Sequence, residues 1–193
     1  MVARRLQAGA PQTAARLDWE TLEAAPAWLA LPEADLATLV LRAGALQHAP
    51  LMRMWIDAPR LAAANAVLGE EFLPALLTLP EAQMPLAKDA LPQPEIDAAE
   101  QVVPALRTAG QGVLLAALPR GHLRDALAEC WSPAEPCAMA EELAGMLLAR
   151  MQWLASRLQA QDEATASNAS VSPAGPAPLA DSAFSPERAG VAA

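Results

Sequence analysis

The chain has 193 residues, 54% of them hydrophobic but only 4% aromatic, with no tyrosine and a net charge of −9. Its hydrophobicity rests heavily on alanine and leucine, whose side chains lose little freedom in a helix, whereas strand-forming residues are scarce. Lysine and arginine are not clustered as a nucleic-acid groove or a polybasic membrane patch requires.

The acidity belongs to the middle of the chain. Residues 1–17 hold three arginines and no acid, while residues 18–160 hold nine basic and eighteen acidic residues. The first dozen residues lack sustained periodicity and are expected to be disordered. They carry no apolar run of the kind a secretory leader has, and nowhere do about 18 consecutive apolar residues offer a bilayer span. A helical domain is therefore expected over 13–160, opening with a short helix from Thr13 to about Ala25. Pro26 and Pro32 bracket Ala27–Leu31, an extended stretch from which Trp28 and Leu29 plug an apolar site.

Residues 28–80 are the most informative part of the chain. Pro32 and Glu33 make a good helix entrance, and Leu36, Leu39, Val40, Ala43 and Leu46 recur at helical spacing up to about Gln47. Gly44 lies inside this helix at a cost of about 1 kcal/mol relative to alanine, a cost that a close helix crossing would offset. His48 is placed at the helix end, where imidazole can serve free carbonyls. Ala49–Pro50 reads as a break before a second short helix carrying Leu51, Met52, Met54, Trp55 and Ile56. Asp57 is a cap for the next helix, with Pro59 in its first turn and Gly69 as its stop. Glu70 and Glu71 then open a helix with Phe72, Leu73, Leu76 and Leu77.

Four prolines between 80 and 94 read as a loop. A second helical half follows over 95–160, with Ile96, Val103, Leu106, Val113, Leu114 and Leu118 as core positions and a kink or division at Pro104. Leu123, Leu127 and Trp131 share one face of the next helix. Ser132-Pro133-Ala134-Glu135 has the form of a capping box and opens the longest helix, reaching about Gln159 with Leu143, Met146, Leu147, Met151, Leu154 and Leu158 inward. Residues 161–193 are rich in Ala, Ser, Pro and Gly and are expected to be a disordered tail. The expected fold is thus all-α, a compact irregular bundle of about seven to nine short helices with a longer C-terminal one.

Reactive chemistry is poorly supplied. Cys130 and Cys137, with His122 upstream, match no compact metal-ligand spacing and too few ligands complete a site. Reduced thiols are the expectation. Gly110-Gln111-Gly112 lacks the third glycine and the strand context of a dinucleotide loop, and no GxSxG, phosphate-loop or HExxH sequence occurs. No catalytic residue, metal or cofactor is expected.

The order Leu31-Pro32, Leu36, Leu39, Arg42, Gly44, His48, Arg53, Ile56, followed by the Glu70–Leu77 stretch, resembles the signature region of SctK/YscK-like sorting-platform proteins of type III secretion systems. A weaker echo runs from Gly112 to Met151. The resemblance implies a non-enzymatic cytoplasmic adaptor, peripheral to the inner membrane, that links an SctD-like inner-membrane ring protein to an SctQ-like pod protein and is a monomer when free. It implies neither nucleic acid nor direct membrane insertion. Arg42, Gly44, His48, Arg53 and Asp57 are the positions it marks, as frame or interface residues. The alternative is a helical secretion chaperone or regulator that grips an effector segment in an apolar groove and dimerises.

Overall fold

The computed structural model describes residues 2–80, 96–131 and 139–170. Among them the chain is all helix and turn, as its alanine and leucine content dictates. The helices are α1 (Val2–Gly9), α2 (Pro11–Ala14), α3 (Trp19–Glu23), α4 (Glu33–Met52), α5 (Ala58–Leu68), α6 (Phe72–Leu77), α7 (Ala99–Ala116), α8 (His122–Trp131) and α9 (Glu141–Ser170), with a 3-10 turn at Ala27–Ala30. The expected Pro-rich loop over 81–94, the Ser132–Glu135 capping box and the tail beyond Ser170 lie outside the described residues.

The pairing of α4 with α7 is the most extensive helix contact, and α5, α6 and α9 pack around it. Ala43, Leu46, Ala49 and Met52 from α4 meet Val102, Leu106 and Val113 from α7 in a core that also takes in Leu68, Phe72, Leu76, Leu147, Met151 and Leu154. Val102, one residue before the expected Val103, is the inward position. A second cluster joins Leu6, Ala10 and Leu29 to Leu115, Leu118, Leu123 and Leu127, so α1, α2 and the 3-10 turn close over α8.

Residues 2–12, expected to be disordered, form α1 and the start of α2: Leu6 and Ala10 are almost wholly buried, and burying one leucine alone contributes about 1.5–3 kcal/mol. The short early helix is divided, because Asp18 accepts a hydrogen bond from the Thr21 amide at 2.7 Å and starts α3 afresh. Ala27–Ala30 forms a 3-10 turn rather than an extended strand, still delivering Leu29 to the core.

Pro50 does not break α4, which continues to Met52. The lost donor falls in the helix's last turn, while Ala49 and Met52, both fully buried, anchor that turn to the core. Consequently Met54 and Ile56 are not on a helix; they stand exposed in the connection to α5, and only Trp55 turns inward. Pro104 likewise does not divide α7. Gln101 secures the start of that helix, its Oε1 accepting from the Asp97 amide at 2.9 Å.

The longest helix begins at Glu141, since Met139 and Ala140 are non-helical, and it runs eleven residues past the expected end at about Gln159, to Ser170, so residues 161–170 of the expected tail are helical. Gly69 ends α5 as expected, at φ 95° and ψ 151°, a positive-φ conformation that favours glycine.

Candidate functional site

The residues marked by the resemblance fall along one connected path. Arg42 is half-buried and leaves α4 towards the end of α5 and the start of α6. Its Nη2 lies 3.5 Å from the Leu68 carbonyl, and its guanidinium sits 4.8 Å from the centre of the Phe72 ring. Burial draws its pKa below the ordinary arginine value, which the ring's electron-rich face partly compensates.

Eleven residues on, three turns along the same helix face, Arg53 donates through Nη2 to the carbonyl of Leu79, just past α6. Arg42 of α4 and Arg53 at its C-cap thus hold the carbonyl ends of the two helices that fold back over it, where free acceptors and the helix dipole both favour a cation.

Asp57 occupies the N-cap position of α5, but its carboxylate makes no capping bond there. It pairs instead with Arg60, Oδ2 to Nε at 2.9 Å. Arg60 in turn donates from Nη1 to the Ile96 carbonyl at 2.8 Å and lies 5.4 Å from the centre of the Trp55 ring. The carboxylate orients a clamp between α5 and the approach to α7, which is a correction to the capping role. His48 is corrected too: because α4 runs through Pro50 to Met52, the residue lies four positions before the helix end and is buried.

Gly44 is at the α4–α7 crossing. A Cβ built on it would stand 1.9 Å from the Leu106 carbonyl oxygen, and one built on Gly110 would stand 1.7 Å from the Val40 carbonyl oxygen. Gly110, set aside as a phosphate-loop remnant, is therefore the partner that lets Gly44 work. A second glycine in the interior of an apolar helix was the signal for it.

Grooves open on the surface of the described residues. One of about 620 Å³ lies between α6 and α9, with Pro74, Leu79 and Leu158 in its walls and Glu71 and Arg157 among its polar groups. Another, about 470 Å³, lies among α1, α4, α7 and α8, lined by Leu36, Val40, Leu127 and Trp131 with Glu33, Arg107 and Cys130. Desolvation, reinforced by Glu129, pushes the Cys130 thiol above its ordinary pKa. Such a thiol holds its proton and is a poor nucleophile. No group of three His, Cys, Asp or Glu gathers as a metal site among the described residues. No helix among them is long and apolar enough to cross a membrane.

No family model, curated protein or solved structure matches this chain. The geometry must therefore speak for itself, and what it offers is helix fastening and exposed apolar surface. Trp19, Met54, Ile56, Met146 and Trp153 all stand substantially exposed. Met146 corrects its expected core position: it is 55% exposed, because the inward stripe of α9 is carried by Ala144, Leu147, Met151 and Leu154. Trp153 is ringed by cations of its own helix, with Arg150 at 4.6 Å and Arg157 at 5.5 Å from the ring.

Proposed function

We propose that this chain is a non-enzymatic adaptor of a type III secretion sorting platform, acting in the cytoplasm beneath the inner membrane. It would join an SctD-like ring protein to an SctQ-like pod protein. The observation that supports this reading is that the residues of the family-like order are those on which the helix frame depends. Arg42 and Arg53 fasten the ends of α5 and α6, and Gly44 permits the α4–α7 crossing. A sequence order that specifies a frame is the kind of pattern that relatives sharing that frame would retain. An adaptor works by presenting rigid surfaces at fixed separations, and a helical domain fastened in this way suits that task.

The test is co-purification of the full-length chain from cells that express a type III secretion apparatus. Recovery of the pod and ring proteins is the expected result. Recovery of neither would overturn the proposal, and recovery of a secreted effector in their place would favour a chaperone.

A further inference from the structure

The outer face of α9 carries a stripe that is complementary to itself. Glu142, Met146, Trp153 and Arg157 follow one another at spacings of four, seven and four residues, which keeps them on one side of the helix. All four are exposed, and Met146 and Trp153 are among the largest apolar side chains left in solvent. Between the acidic first turn of α9, Glu141 and Glu142, and the next acids, Asp162 and Glu163, the helix carries only Arg150 and Arg157 as charged residues.

Glu142 and Arg157 stand symmetrically about the same point as Met146 and Trp153 do, between Ala149 and Arg150. If a second α9 is laid antiparallel on the first with a two-fold axis at that point, Glu142 meets Arg157 of the copy while Met146 meets Trp153 of the copy. Both pairings then occur twice. A face that satisfies its charge and its apolar residues in a single register has the property an isologous interface requires.

We propose that the outer face of α9 is a self-association surface through which two copies of this chain pair antiparallel, with Met146 against Trp153 at the centre and Glu142 against Arg157 at both ends. The methionine sulfur lies against the aromatic ring, a favourable contact. Trp153, already held between Arg150 and Arg157, enters the pair with little side-chain freedom left to lose. The seam is one helix face about 24 Å long, and four side chains from each copy bury less than the interfaces of stable complexes, about 1,200–2,000 Å² in total. The pair is accordingly reversible and concentration-dependent. Such a pair differs from the free monomer that the resemblance implies, and it is argued from α9 alone, independently of the adaptor reading.

The experiment is sedimentation equilibrium of the full-length chain over a concentration series. The weight-average mass should rise from 20.2 kDa towards twice that value. Glu142→Arg and Arg157→Glu should each weaken association at least fivefold, and the double variant, with the charges exchanged, should recover most of the loss. Trp153→Ala should weaken it at least tenfold. Because these side chains are exposed, far-UV circular dichroism should be unchanged in every variant. The proposal is overturned by a mass that stays monomeric up to millimolar concentration, including the case in which the stripe takes up a different protein instead. It is equally overturned by association that ignores the single charge reversals, or by a double variant no better than the single ones.

Discussion

Gly44 and Gly110 face each other where α4 crosses α7, each with its amide nitrogen 3.0 Å from where the other's Cβ would be. A methyl group on either would lie within the partner helix's backbone, which cannot rotate aside as a side chain could. The crossing distance of the two central helices is thus set by the absence of two side chains.

Gly44→Ala should therefore destabilise the fold by at least about 2 kcal/mol, because overpacking outweighs the roughly 1 kcal/mol gained in helix propensity. Gly110→Ala should behave alike, and the double variant should cost less than the two single losses together, since one displacement of the helices relieves both. Gly145→Ala on α9 is the control: its Cβ would meet nothing within 4 Å, so the variant should gain about 0.4–1 kcal/mol. Urea denaturation midpoints at unchanged slope provide the comparison, and equal effects at Gly44 and Gly145 would contradict the crossing geometry.

Arg42 is held by a ring and a long hydrogen bond rather than by a carboxylate. Arg42→Met keeps the aliphatic length while removing both contacts, and a loss of about 1–2 kcal/mol is expected. Arg42→Lys should fall between the two, because an ammonium keeps the charge but not the planar stack. A methionine variant as stable as the parent would show that packing of the stem is all that matters.

The Asp18 carboxylate is held below the ordinary aspartate range, chiefly by its hydrogen bond from the Thr21 side chain and then by the one from the Thr21 amide. The folded-state value being the lower one, the carboxylate's contribution is complete above the unfolded pKa and fades as the pH falls through the folded value. Exchange of the Thr21 amide should accelerate over that acidic window beyond its intrinsic pH dependence. Asp18→Asn keeps an acceptor and removes the titration, so its profile should lack the step.

Cys130 donates weakly towards the Leu6 carbonyl at 3.9 Å and is partly shielded by α1. In a Cys137→Ser background, its alkylation should show a midpoint above that of a free cysteine, about 8.5, and should be several-fold slower than a cysteine peptide at pH 8. A midpoint below the free value would mean that α1 does not cover the thiol.

Much of this fold is local information. The entrance at Pro32–Glu33, the stop at Gly69 and the apolar spacing of α4, α7 and α8 can all be read along the chain, since each depends on neighbours within a turn or two. Pro50 and Pro104 show where that reading fails. Their local penalty is real, but burial of Ala49, Met52, Val102 and Leu106 outweighs it, and such burial depends on helices distant in sequence.

The candidate surfaces divide in the same way. Arg42, Gly44, His48, Arg53 and Asp57 could be singled out by their order, yet their partners are carbonyls, rings and a glycine whose proximity no spacing encodes. Met146 looks apolar and inward in sequence, and only the docking of α9 on Ala144, Leu147, Met151 and Leu154 turns it outward beside Trp153.

By itself, the sequence determined that the chain is helical, because alanine and leucine spacing is a property of one turn and its neighbours. The tertiary structure decided which glycines meet, which arginines hold which helix ends, and which face of α9 remains open. Those depend on how helices pair across the chain, and the energy of that pairing is spread over contacts between residues far apart in sequence.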